Sequence, residues 1–262
     1  MNTQAFDALQ GYLTGMYAFL QSKEIPVLPK KPDELLEALG HLTANNELKL
    51  KLTGFYEDFV GLFNGSNDWL VWLKEFDHLF VKHPSFLAHQ EYFFDIFFVH
   101  ALSLQEEKDE DFMESPEWIK VEAKLENRGT ELLNVLMYLK EVQESELRAN
   151  LDDFLNEFVL DDEFDYQEDA EVYEEVIANK NWVDLTYSEM VRNCESMEDE
   201  TAIPEIFTPL FCFFKSPEKT SINLMACILA GGKCERNTSV SALLHAWYHG
   251  TSAFPKFLKV GK

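Results

Sequence analysis

Positive charge is what this chain has least of. Against 47 Asp and Glu it sets 22 Lys and Arg, for a formal net charge of −25. Nucleic-acid backbones and anionic membrane surfaces are both met by patches of Lys and Arg, so neither is expected as a partner. Long apolar runs are missing too. The two longest, near residues 92–104 and 203–214, fall short of a bilayer's thickness and are broken by Asp95, His100 and Glu205. The first ten residues hold no Lys or Arg, so they do not read as a secretory leader. Cysteine is sparse: Cys194, Cys212, Cys227 and Cys234 form no CxxC pair and sit mostly among apolar neighbours. Buried free thiols in a reducing cytoplasm account for them, and a cytoplasmic protein is the expectation.

What is present is apolar bulk. Hydrophobic residues make up 46% of the 262, and 22 of them are Phe, enough to fill a sizeable core. Their spacing is helical. Phe6, Leu9, Leu13, Met16, Tyr17 and Leu20 make one stripe and predict a helix over residues 3–21. Pro32-Asp33-Glu34 opens a short helix that Gly40 is expected to close. Residues 47–52 alternate like a strand but run into Phe55, Phe59, Leu62 and Phe63, so they are read as helix. Asn64-Gly65 marks a turn, with Ser66 or Asn67 capping a helix over 68–81. Residues 85–105, apolar on most sides, read as the hub of the core.

Further along, Ser115-Pro116-Glu117 and Ser216-Pro217-Glu218 both resemble helix starts, the first running to about residue 140, the second to Gly231-Gly232. Helices are also expected over 188–197 and 239–249, the latter closed by Gly250. There is no βαβ alternation, heptad seam or fixed repeat. The fold class is therefore all-α, an irregular multi-helix bundle or helical array of about ten helices. One domain over 1–262 is expected, with a possible division into a Phe-rich half (1–110) and an acidic and C-terminal half (111–262).

The negative charge is not spread evenly. Residues 1–105 carry a net −6, residues 106–204 a net −23, and residues 205–262 a net +4. Its densest part is residues 151–176, with Asp152, Asp153, Glu157, Asp161, Asp162, Glu163, Asp165, Glu168, Asp169, Glu171, Glu174 and Glu175 and no Lys or Arg. Leu151, Phe154, Leu155, Phe158, Val172, Tyr173 and Val176 run through it at helical spacing, which a disordered acidic tail would lack. As a helix it would carry one charge per about 3.3 Å, close to the linear density of a single nucleic-acid strand. These twelve residues are the candidate partner-binding surface, and the partner they suit is a basic protein.

Other chemistry fits less well. An EF-hand register from Asp161 puts Tyr166 where Gly must turn and Val172 where the bidentate Glu belongs. His245 and His249 share a helix face as in HExxH zinc enzymes, but Ala246 stands in place of the base. Ala230-Gly231-Gly232-Lys233 ends a helix where a phosphate loop would begin one. No GxSxG or local Cys–His signature is present. Asp95 and His100 lie in the most apolar helix, five apart, and read as core groups with partners of their own.

No cofactor, metal or catalytic residue is assigned. The leading reading is an acidic binding protein that masks a basic surface of a protein partner, as an immunity or inhibitor protein masks a toxin. An enzyme with scattered carboxylates around a divalent metal, and a helical scaffold or adaptor subunit, are the alternatives.

Overall fold

Among the described residues the helical periodicity is realised as ten α-helices, and no strand occurs there. The computed structural model describes residues 3–105, 118–119, 121, 123, 132–144, 185–200 and 206–261. In chain order the helices are α1 (Thr3–Ser22), α2 (Pro32–His41), α3 (Asn46–Gly61), α4 (Trp69–Lys82), α5 (Gln90–Gln105), α6 (Leu132–Glu144), α7 (Tyr187–Glu200), α8 (Phe207–Lys215), α9 (Thr220–Ala230) and α10 (Cys234–His249). Two 3-10 turns, Pro84–His89 and Thr251–Ala253, lie between α4 and α5 and after α10.

Local chemistry sets the ends. Asp68 is the residue that caps α4, its carboxylate accepting the Leu70 N–H at 2.8 Å, in place of the Ser66 or Asn67 expected. Asn45 caps α3 in the same way through Leu48 N–H at 3.0 Å. Gly40 does not end α2, which runs on to His41. The helix expected to start at residue 85 starts at Gln90, because Pro84 opens a 3-10 turn first. Ser216-Pro217-Glu218 is likewise a turn: Ser216 ends α8, and α9 begins only at Thr220. Gly231 (φ +90°) and Gly250 (φ +72°) end α9 and α10 as read, because left-handed backbone suits glycine.

The centre is not α5. It is the pair α1 and α10, whose residues 8–18 and 236–247 are buried on every side. The two backbones come close enough that a Cβ on Gly11 would lie 2.6 Å from the Ala242 carbonyl oxygen. One on Gly15 would lie 2.6 Å from that of Thr238. Only glycine fits there. Around this pair, α8, α9 and α6 pack on α10, while α3 and α5 pack on α1. The chain's end returns along α1: the Gln10 side-chain amide donates to the Val260 carbonyl, and Val260 N–H donates to Thr14 Oγ1 at 3.3 Å.

The Phe-rich part forms an aromatic cluster from α3, α4 and α5. Phe93, Phe94 and Phe97 are buried, while Phe98 is half-buried. Phe55 stacks on Phe86 at 4.2 Å between centroids and lies 4.7 Å from Phe93, and Phe76 meets Phe97 at 4.9 Å. Such tilted and offset pairs add to the burial of their large apolar areas. The larger apolar core runs from Ala5 to Val260, and a smaller one gathers Met190, Val191, Cys194, Phe211, Cys212 and Cys227.

Candidate functional site

The twelve carboxylates of residues 151–176 lie outside the described residues, as does the register of residues 161–172 compared with a calcium loop. The described part supplies the frame that carries them, and its polar groups fall into three places.

The first is a partly buried polar seam where α7, α8, α9 and α10 meet. Glu195 on α7 reaches the start of α10. Its carboxylate accepts Lys233 N–H at 2.7 Å and the Asn237 side-chain amide at 3.0 Å, and Arg236 Nη2 lies 4.0 Å away. It thereby takes up donors at the positive end of α10, whose N-cap residue Lys233 offers no side-chain cap. Gly232 (φ +65°) makes room, since a Cβ there would run into that carboxylate. Asn223 on α9 is the second knot: its amide donates to Tyr187 OH at 3.2 Å and to the Cys212 carbonyl. Its oxygen accepts from Ser241 at 2.7 Å and from the Cys227 thiol at 3.5 Å.

Cys194, Cys212 and Cys227 are buried around this knot and form no disulfide, as their apolar settings implied. A hydrogen bond to Cys227 and burial raise the Cys212 pKa, so it stays a thiol and makes a poor nucleophile. Burial likewise raises the Tyr187 pKa, against the pull of hydrogen bonds to Ser216 and Asn223. These groups bond to one another, which is what buried polar groups require.

The second place holds the two paired histidines. His245 is fully buried; its Nδ1 lies 3.2 Å from Thr220 Oγ1, and its ring stacks on His249 at 6.1 Å. Burial, and next the neighbouring His249, push its pKa down to about 3. It is therefore neutral and adds no charge at the negative end of α10. His249 spends its Nε2 on the Pro217 carbonyl at 2.6 Å. Asp95 and His100 are both buried on α5, and the His100 ring lies against Phe6 (4.2 Å) and Phe63 (4.4 Å). Among the described residues, no group of three or more His, Cys, Asp and Glu is arranged to hold a metal ion. A further histidine, which sequence reasoning passed over, links three elements. His89 Nδ1 is 2.8 Å from the buried Tyr12 hydroxyl, and its Nε2 is 3.9 Å from Glu235.

The third place is open to solvent. α3 and α4 run antiparallel, as the pairs Phe63–Trp72, Phe59–Phe76 and Phe55–Phe80 require. On the side away from these rings the two helices part to leave a groove of about 520 Å³. Glu57, Asp58, Gly61 and Leu62 line it from α3 and its end, and Val71, Glu75, His78, Leu79 and Lys82 from α4. The turn at Asn64, Gly65 and Ser66 closes one end. Asp58 is held by Lys82 Nζ and His83 Nε2, each at 2.6 Å. Burial pushes its pKa up, but the bonds and charges of Lys82 and His83 outweigh that and leave it below the usual carboxylate range. In sequence the only trace of this groove is the acidic pair Glu57-Asp58 beside a helix face of mixed character.

No protein-family model, curated protein or solved structure matches the chain. No described helix is long and apolar enough to cross a membrane.

Proposed function

We propose that this is a cytoplasmic binding protein whose acidic stretch, residues 151–176, engages and masks a basic surface on a protein partner. In this reading it acts as an immunity or inhibitor protein acts on a toxin. The observation that carries it is charge segregation: residues 106–204 hold a net −23, while the C-terminal segment that supplies α10 of the central helix pair holds a net +4. Like charges crowded into one part of a chain repel, and that repulsion opposes folding unless a partner offsets it. Clustered carboxylates also steer a basic partner into encounter over distances comparable to the screening length. The described frame is consistent with this role: Glu195, Asn223, Asn237 and His245 are taken up in hydrogen bonds within it.

The test is binding kinetics with the captured partner. Replacing Asp161, Asp162, Glu163 and Asp165 by Asn or Gln should slow association at least several-fold at low salt. The loss should shrink as salt rises to physiological strength. Association that is unchanged at both salt concentrations would end the masking reading.

A further inference from the structure

Resting on that reading, the geometry points to a second contact for the basic partner: the groove between α3 and α4 receives an amphipathic helix, its apolar face on Leu62, Val71 and Leu79 and its Lys or Arg side chains against Glu57 and Glu75.

The floor and rim of the groove have the two chemistries such a helix needs. Leu79 is buried and Leu62 half-buried, while Val71 is 41% exposed beside them on the concave side of α4. Glu57 and Glu75 are exposed on facing helices. Lys82, the one lysine among the described residues that line the groove, does not repel a cation as a free lysine would, because Asp58 already holds its ammonium at 2.6 Å. What an incoming side chain meets is therefore net negative over an apolar floor, the pattern on which a basic amphipathic helix docks.

Gly61 keeps the groove open. It is the last residue of α3 and has no positive φ, so its backbone does not call for glycine. A Cβ at Gly61 would meet nothing within 4 Å. Glycine at a helical position lowers helix stability, and here neither packing nor conformation requires it. It lines the groove, and the space its side chain would enter is open. Gly54, on the same helix, is equally open but lies outside the groove, which makes it a control.

The experiment measures binding of a fluorescein-labelled Leu/Lys amphipathic peptide to the full chain by anisotropy, with a Leu/Glu peptide for comparison. Four variants are used: Glu57→Lys/Glu75→Lys, Gly61→Phe, Gly54→Phe, and the chain with Asp161, Asp162, Glu163 and Asp165 neutralised. The changed groove residues are exposed or face open space, so melting temperatures should stay within a few degrees of wild type. If the groove docks the helix, the charge reversal and the Gly61→Phe plug each weaken the Leu/Lys peptide at least tenfold. Gly54→Phe leaves its affinity unchanged, and the Leu/Glu peptide does not bind. Full affinity in both groove variants overturns the groove. If the neutralised chain alone then loses the peptide, the masking reading survives without it; if that chain also keeps the peptide, both fall. Weakening by charge reversal but not by the plug also overturns the groove, since surface charge alone would then explain the binding.

Discussion

His245 shows how far a residue's surroundings override its type. An unfolded histidine titrates near pH 6.5, whereas burial against Thr220 and His249 pushes His245 down to about 3. Between those values the unfolded chain binds a proton that the folded chain refuses. The stability due to neutral His245 is thus complete above about pH 6.5 and is lost as pH falls toward 3. Urea unfolding at pH 7 and pH 5 should show wild type losing about 2 kcal/mol more than His245→Asn over that interval. Equal losses would mean that His245 titrates in the fold as it does in water. The sequence placed this residue near the end of a helix, and there it lies. Its depth depends on α8 and α9 closing over α10, and no local spacing records that.

At the scale of elements, the contact between α1 and α10 is the most sensitive part of the fold. Gly15 faces the Thr238 carbonyl, the Ala242 side chain and the Ser239 backbone, all within 3 Å of where a Cβ would stand. Overpacking of this kind typically costs about 1–3 kcal/mol, and here the obstructing atoms are mainly backbone. Gly15→Ala should therefore lower the unfolding free energy by at least that much in a denaturant titration. Gly61→Ala, which meets nothing, should leave it unchanged or raise it by about 0.5–1 kcal/mol. Equal effects of the two changes would contradict the close approach of the helices. Capping is the other device at this scale. Asp68→Ala removes the acceptor for Leu70 N–H and should cost about 1 kcal/mol, again by denaturation.

For the whole molecule the dominant quantity is −25 of net charge, most of it in residues 106–204. Self-repulsion at that level destabilises the compact state, and salt screens it over about 8–10 Å. The melting temperature of the chain should rise between low and physiological salt, with a smaller rise once Asp161, Asp162, Glu163 and Asp165 are neutralised. A calorimetric series in sodium chloride checks this, and a melting temperature that falls with salt in both proteins would refute it. Chelator should leave the melting temperature within the few degrees that about 1 kcal/mol represents. A large drop, with stoichiometric metal in the purified protein, would reveal a site that the residues considered above do not form.

Helical periodicity alone was enough to name the class of fold and to place α1, α3, α4 and α7 within a few residues, because a helix must turn one apolar stripe toward its neighbours. Glycines at the ends of α9 and α10 were legible for a similar reason, since left-handed backbone leaves a compositional mark. The choice of central helix was not legible. Periodicity nominated α5, yet α10 lies deepest with Arg236, Asn237, Thr238, Ser239 and Ser241 among its buried residues. Polar side chains can be buried only when partners from distant segments meet them, here Glu195 and Asn223. The groove between α3 and α4 has the same origin. Its apolar floor and acidic rim are ordinary residues of two amphipathic helices, and only the way those helices part, with Gly61 between them, makes one concave surface of them.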